Sequence, residues 1–243
     1  MGSTREEKEY AYQLDHGVTR SYGWYEKETR RKAKTGPFCI DRHLVSNRDY
    51  QTFVQETGHP EPFITPKAYQ RQGFLVHPYK KAEEFLWKEG FFPRGRESHP
   101  VVLVSLQDAT AYCAWREKIA KRRYRLPTEA EWERAARGED SRIFPWGNKW
   151  NSEYLNSGSR FSYTTPVDRF PEGRSPYGLY DMVGNVFQWT TTAWEKKNFV
   201  LKSCSWDDLP GTCRVAMRHG RPPETKHILI GFRCASDPTS SQR

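Results

Sequence analysis

Two cysteines nine residues apart, Cys204 and Cys213 in Ser-Cys-Ser-Trp-Asp-Asp-Leu-Pro-Gly-Thr-Cys-Arg-Val-Ala-Met-Arg, are the residues of this chain best suited to redox or metal chemistry. Thiolates select soft ions such as Cu(I), and they are also nucleophiles and disulfide partners. The spacing alone leaves open a metal pair, a redox pair or two unrelated thiols. The total of five cysteines is odd, so at least one stays outside any intramolecular disulfide. A non-haem iron site wants two histidines and a carboxylate. His16, His43, His59, His77, His99, His219 and His227 include no helix-spaced pair and no His-x-His. Iron would have to be assembled from distant residues, with His219, His227 and Asp208 as the available set.

Such residues need a scaffold, and 243 residues suffice for one large domain or two small ones. Nine Trp, thirteen Tyr and thirteen Phe against three Met predict a core rich in rings. Sixteen Pro and seventeen Gly, spread along the chain, predict many turns. Phe38-Cys39-Ile40-Asp41 reads as a short strand. Ser46-Asn47-Arg48-Asp49 is a capping box, in which the Ser hydroxyl and the acid three residues on satisfy two backbone donors at a helix start. Tyr50, Phe53 and Val54 form that helix's apolar stripe, and Gly58 stops it. Val101 to Val104 predicts a buried strand, Ser105 to Asp108 opens a helix to about Ala120, and Thr128 to Glu131 caps a helix that reaches Gly138. Beyond Gly138 helical periodicity disappears, and short strands are predicted at Phe199–Lys202 and Ile228–Ala235. The expectation is an α+β fold, loop-rich in its C-terminal half. It divides into a basic N-terminal arm (1–36), a domain (37–236) and a C-terminal tail (237–243).

The formal net charge is +9, with basic runs at Arg30–Lys34 and Lys121–Arg125. Thirty acidic residues are interspersed and no nucleic-acid motif accompanies the runs, so a solvated basic face is expected and nucleic acid is not. The arm remains a candidate contact for a protein partner. No window approaches the roughly 18 consecutive apolar residues of a membrane span, and the first ten residues carry no apolar signal region. A soluble cytoplasmic protein with reduced thiols is the expectation.

Six segments together resemble a known family. Phe38 to Val54 and His99 to Trp115 look like its first two strand–helix units. Arg125-Leu126-Pro127-Thr128-Glu129-Ala130-Glu131-Trp132-Glu133 is close to its most recognisable motif. Phe144-Pro145-Trp146-Gly147, Tyr177 to Val186, and Gly231-Phe232-Arg233 complete the series in order. The chain is similar to the formylglycine-generating enzyme, or sulfatase-modifying factor, family, which also includes ergothioneine sulfoxide synthases and a pyoverdine-maturation enzyme. The resemblance spans about residues 37 to 236. It implies a decorated C-type-lectin-like α+β fold with little regular secondary structure.

The resemblance also implies an oxygen-dependent oxidoreductase acting on a peptide, a thiol or a small metabolite, with copper or iron as catalytic metal. The family's copper enzymes hold Cu(I) between two cysteines. Matching Ser205-Trp206 to the family's Gly-Gly-Ser-aromatic strand end puts the second of these on Cys213 and the first on Asp208, which is a hard ligand. Cys204 replaces a glycine. Cys213, Asp208 and Ser205 are thus the candidate catalytic residues, and Arg221, Trp206 and Phe187 the candidate substrate-binding ones. In the sulfoxide synthases the iron ligands come largely from a helical-bundle domain that this chain is too short to contain. A structural calcium is implied at Asp181, Gly184, Val186 and Gln188, where Gln188 stands for the usual Glu, and a second at Asn156. Cys113 and Cys234 match positions bonded in some secreted members, which implies that they lie close together. In a cytoplasm they would be two buried thiols. The alternative reading is a non-catalytic ligand- or protein-binding domain on the same fold, because fold alone does not decide function.

Overall fold

The computed structural model describes residues 1–72 and 76–238. Six α-helices occur among them: α1 (Arg5–Leu14), α2 (Asn47–Thr57), α3 (Pro66–Arg71), α4 (Tyr79–Ala82), α5 (Leu106–Ala120) and α6 (Glu129–Arg137). Seven short strands accompany them: β1 (Cys39–Ile40), β2 (Tyr124–Arg125), β3 (Phe187–Ala193), β4 (Phe199–Lys202), β5 (Arg218–Arg221), β6 (Ile230–Gly231) and β7 (Ala235–Ser236). The fold is mixed and loop-rich, as expected.

Each capping box named in the sequence starts a helix. Ser46 and Asp49 close reciprocal bonds at α2, Ser105 and Asp108 at α5, and Thr128 and Glu131 at α6. Gly58 ends α2 in the left-handed conformation, at φ 68°. Trp132, Ala135 and Ala136 of α6 are buried, and so are Glu129, Glu131, Glu133 and Arg137.

Two strand expectations change. Val101 to Val104 is buried but forms no strand. Val101 N–H donates to Val45 O at 2.9 Å and Leu103 N–H to His227 O at 3.1 Å, and Leu103 sits at φ 60°, which interrupts extended pairing. The stretch Ile228–Ala235 is divided between two sheets. β6 runs parallel to β3, with Phe187 opposite Ile230, while β7 lies between β1 and β2 in an antiparallel three-stranded sheet. The second sheet has the order β5-β4-β3-β6, with β5 on its outer edge.

The main core is aromatic, with Tyr50, Trp87, Trp189 and Phe232 buried in it and Tyr50 stacked on Tyr112 at 5.7 Å. Cys113 of α5 and Cys234 are bonded through sulfur with their Cα atoms 6.0 Å apart. The proximity implied by the resemblance is present, and the pair is a disulfide rather than two thiols.

Residues 1–36 depart most from expectation, because they pack on the domain body instead of lying at its periphery. Gly2 N–H donates to Glu133 Oε1 at 2.7 Å and accepts at its carbonyl from Arg137 at 3.2 Å. Both carboxylate oxygens of Glu28 accept from Arg214 at 2.8 Å, with both side chains buried. Asp15 accepts from Gly211 N–H at 2.6 Å and from the hydroxyls of Thr19 and Tyr25. Ala11, Tyr12 and Tyr25 make a small core with Met217. The basic character of the segment had hidden the buried acids Asp15 and Glu28, which are what attach it. Of the expected tail, residues 239–243 lie outside the described residues.

Candidate functional site

The turn after β4 carries the residues singled out first. β4 delivers Ser203 to Trp206 into the protein, and all four are buried. Ser205 N–H donates to Asp208 Oδ2 at 2.7 Å and its hydroxyl also contacts that oxygen, closing the Ser-Trp-Asp-Asp turn. The hydroxyl lies 2.6 Å from Asp207 Oδ1, and Asp207 Oδ2 is 2.8 Å from His77 Nε2. His77 in turn stacks on Trp206 at 4.8 Å. Burial, with the neighbouring Asp207 carboxylate next in importance, pushes the Asp208 acid up to about 7.

Cys213 does not present a thiolate to this turn. It is bonded to Cys204, the two Cα atoms are 5.0 Å apart, and neither residue is exposed. The pair of cysteines is therefore neither a copper pair nor two unrelated thiols. With both sulfurs tied up and the carboxyl groups of Asp207 and Asp208, which are hard ligands, at the turn, the residues present do not fit Cu(I). Iron fares no better. His227 stacks on Tyr69 and lies 3.1 Å from its hydroxyl, whereas His219 stacks on Phe187. No cluster of three metal-ligating side chains occurs among the described residues.

Above the turn opens a cleft of about 480 Å³. Asp207, Asp208 and Leu209 line one side, Phe187 and His219 the sheet side, and Tyr22, Trp24, Lys27, Trp194 and Arg218 the rest. Asp208 and Phe187, both named from the sequence, line this one cleft. Ser205 holds Asp208 from beneath, Trp206 is buried behind the turn, and Arg221 ends β5 without lining the cleft. Burial and Arg221 push His219 down to about 3, so its imidazole is neutral. Burial lowers Arg221 to about 10. The reading missed Tyr22, Trp24 and Lys27. The run Tyr22-Gly23-Trp24-Tyr25, aromatic within an otherwise charged arm, was the available signal. Tyr22 and Trp24 lie ring to ring at 5.6 Å and are 68% and 46% exposed. Val76 and Leu209, 58% and 37% exposed, extend the same apolar surface.

The implied calcium turn is elsewhere. Asp181 is buried and takes a hydrogen bond from Asn185 Nδ2 at 3.1 Å; burial pushes its acid up to about 7. A desolvated carboxylate of this kind fits a hard, oxygen-liganded cation, whereas the Gly184 carbonyl already accepts from Val186 N–H at 2.9 Å and from the Ser203 hydroxyl at 3.3 Å. Gln188 does not contribute to it. Its Oε1 accepts from Trp132 Nε1 at 2.7 Å and Arg233 Nε at 2.8 Å, and its Nε2 donates to the Asp181 carbonyl at 2.6 Å. Asn156 is bound through Nδ2 to Tyr163 O at 2.7 Å, and its buried Oδ1 has no hydrogen-bond partner among the described residues. An orphaned acceptor of that kind fits a cation, and Thr165 Oγ1 is another.

Comparison with known proteins adds to this geometry. A family model described as the sulfatase-modifying factor enzyme 1-like domain matches residues 4–238. The mouse protein named inactive C-alpha-formylglycine-generating enzyme 2 is 34% identical over 244 residues, covering 85% of this chain and 77% of that protein. Mouse formylglycine-generating enzyme is 33% identical over 263 residues, covering 85% and 68%. Among solved structures, PvdO from Pseudomonas aeruginosa superposes with a TM-score of 0.66 at 24% identity, covering 86% of this chain and 87% of PvdO. CarF gives 0.62 at 21% identity, covering 86% and 89%. Both show the shared fold.

Proposed function

The chain belongs to the sulfatase-modifying factor family, and from that premise we propose that it is a member without copper chemistry that binds a ligand in the cleft above the Ser205–Asp208 turn. The observation that carries this reading is the bond between Cys204 and Cys213. On the family resemblance a copper oxidase would need Cys213 as a thiolate, with a second cysteine where Asp208 stands, and here the Cys213 sulfur is bonded and buried. The oxygen-dependent oxidoreductase expected from the sequence would require both obstacles to be removed. Relatives of similar identity include proteins named as inactive and proteins named as formylglycine-generating, so resemblance does not separate the two outcomes. The bonded Cys204 and Cys213 support the reading without copper chemistry.

The cleft supports binding. Exposed Tyr22 and Trp24 supply rigid apolar area at small entropic cost, and Asp208 supplies a polar anchor. Asp181 would hold the structural calcium that the family resemblance implies, whose contribution is to neutralise the buried carboxylate and stiffen the turn that leads into β3. No helix among the described residues is long and apolar enough to cross a membrane. Two disulfides favour an oxidising compartment over the cytoplasm expected from the sequence.

The test is an anaerobic Cu(I) titration against a competing chelator, on the protein as isolated and after reduction. The reading expects no competitive binding before reduction. Tight one-to-one binding by the unreduced protein, lost in Cys213→Ser, would sink it.

A further inference from the structure

The charged groups around the cleft are matched, with one exception. Lys27 Nζ is 3.1 Å from Glu195, Arg218 Nε is 2.9 Å from Glu129, and Asp207 is 2.8 Å from His77. Asp208 has no ion-pair partner among the described residues, and the charges that bear on it are the carboxylates of Asp207 and Asp15. The two contacts that Ser205 makes to Asp208, from its N–H and its hydroxyl, both go to Oδ2, and Asp208 lines the cleft. The floor of the cleft therefore sets two neighbouring carboxyl groups, Asp207 and Asp208, with no lysine or arginine paired to Asp208 among the described residues, although the chain as a whole carries +9.

The walls are apolar where they are exposed. Tyr22, Trp24, Val76 and Leu209 offer surface for an alkyl stem and ring faces that attract a cation. The volume, about 480 Å³, exceeds what one side chain fills. Gly220 of β5 also lines the cleft, and β5 is the outer strand of its sheet, where an extended chain can add through backbone bonds.

We propose that the cleft receives a peptide segment that inserts a lysine or arginine side chain between Trp24 and Leu209, with its cation on the Asp208 carboxylate. This rests on the binding reading above and specifies its ligand. No covalent step is involved: the family position that would hold a metal thiolate serves here as the counter-ion of a guest.

Isothermal titration calorimetry of the intact, disulfide-bonded protein tests this. The probes are the capped pentapeptide Ala-Ala-Lys-Ala-Ala, the same peptide with norleucine for lysine, and n-butylamine. Norleucine keeps the stem and removes the charge. The lysine peptide should bind about tenfold or more tighter than the norleucine peptide, the size expected of a charge-assisted contact. Asp208→Asn should abolish that difference, while Trp24→Ala, at an exposed ring, should weaken both peptides. Unfolding curves of both variants establish that they fold. Since the lysine–norleucine comparison is made on the unaltered protein, it stands even if Asp208→Asn fails to fold. Equal binding of the two peptides, weakened by Trp24→Ala, would overturn the cation and leave the cleft as a binding site. Butylamine binding as tight as the lysine peptide would overturn the peptide assignment. Binding of none of the three would remove both this inference and the reading beneath it.

Discussion

Arg214 and Glu28 stand 186 residues apart in the chain and meet as a two-pronged ion pair, each nitrogen–oxygen contact 2.8 Å long and both side chains buried. Ser3 adds its hydroxyl to the same carboxylate at 2.7 Å. The N-terminal segment is thereby fixed to the loop that immediately follows Cys213.

A buried pair broken on one side leaves an uncompensated charge, which costs about 3–5 kcal/mol. Arg214→Met should destabilise the protein by that order in urea or guanidinium unfolding. The double variant Arg214→Met with Glu28→Met should recover much of the loss. A single variant as stable as the parent would show that residues 1–36 contribute no more than a surface strap.

The two disulfides should contribute unequally. Cys113–Cys234 spans 121 residues and Cys204–Cys213 spans nine. On the chain-entropy account their contributions are roughly 5 and 3 kcal/mol. Replacing the long-range pair with serine or alanine should lower the unfolding midpoint more than replacing the short-range one. The opposite ranking would mean that the Cys204–Cys213 bond also keeps the turn packed.

Calcium should stabilise the protein through Asp181. Excess calcium should raise the melting temperature relative to a chelator, and Asp181→Ala should remove the response. An Asp181→Ala protein that still responds would place the cation elsewhere, with Asn156 and its orphaned Oδ1 the first alternative.

In chelator, Asp181 should also give a pH-dependent stability of known sign. Its acid titrates near 7 in the folded protein, against an ordinary value of 3.8 when unfolded. Between about pH 4 and 7 the folded state holds a proton that the unfolded chain has released, so this group's contribution falls as pH rises. His99 and His219, lowered by burial to about 4 and about 3, act in the opposite direction, because the unfolded chain binds their protons below 6.5. Asp181→Asn isolates the first effect: the variant should gain on the parent from pH 4 to 7, by an amount on the order of a few kcal/mol. A difference that stays flat across that window would contradict a raised acid. Added calcium should reverse the trend in the parent, since the cation requires the carboxylate.

What was legible in the sequence was local. Ser46, Ser105 and Thr128 each announce a helix within four residues, because a capping box is a contact between near neighbours. That Asp208 and Phe187 share one cleft agrees with ordered motifs that fix register along the chain. The bond from Cys204 to Cys213 was not legible, since nine residues of loop can bring two thiols together or hold them apart. The attachment of Glu28 to Arg214, and with it the placing of Tyr22 and Trp24 over the cleft, depends on a partner far along the chain. Val101 to Val104 misled for a related reason: burial makes a segment apolar whether or not a neighbouring strand pairs with it.

The three-stranded sheet has a temporal consequence. Its middle strand, β7, comes from residues 235–236, whereas the strands it joins come from residues 39–40 and 124–125. During synthesis β1 and β2 wait unpaired while some hundred further residues are made, on the order of ten seconds at ordinary elongation rates. Cys113 waits with them, since its partner is Cys234. Nascent chains are thus exposed to mispairing of Cys113 with Cys39 or Cys204, both already translated before Cys234. The cell that makes this protein has to hold that window open, with thiols still exchangeable, until the last strand arrives.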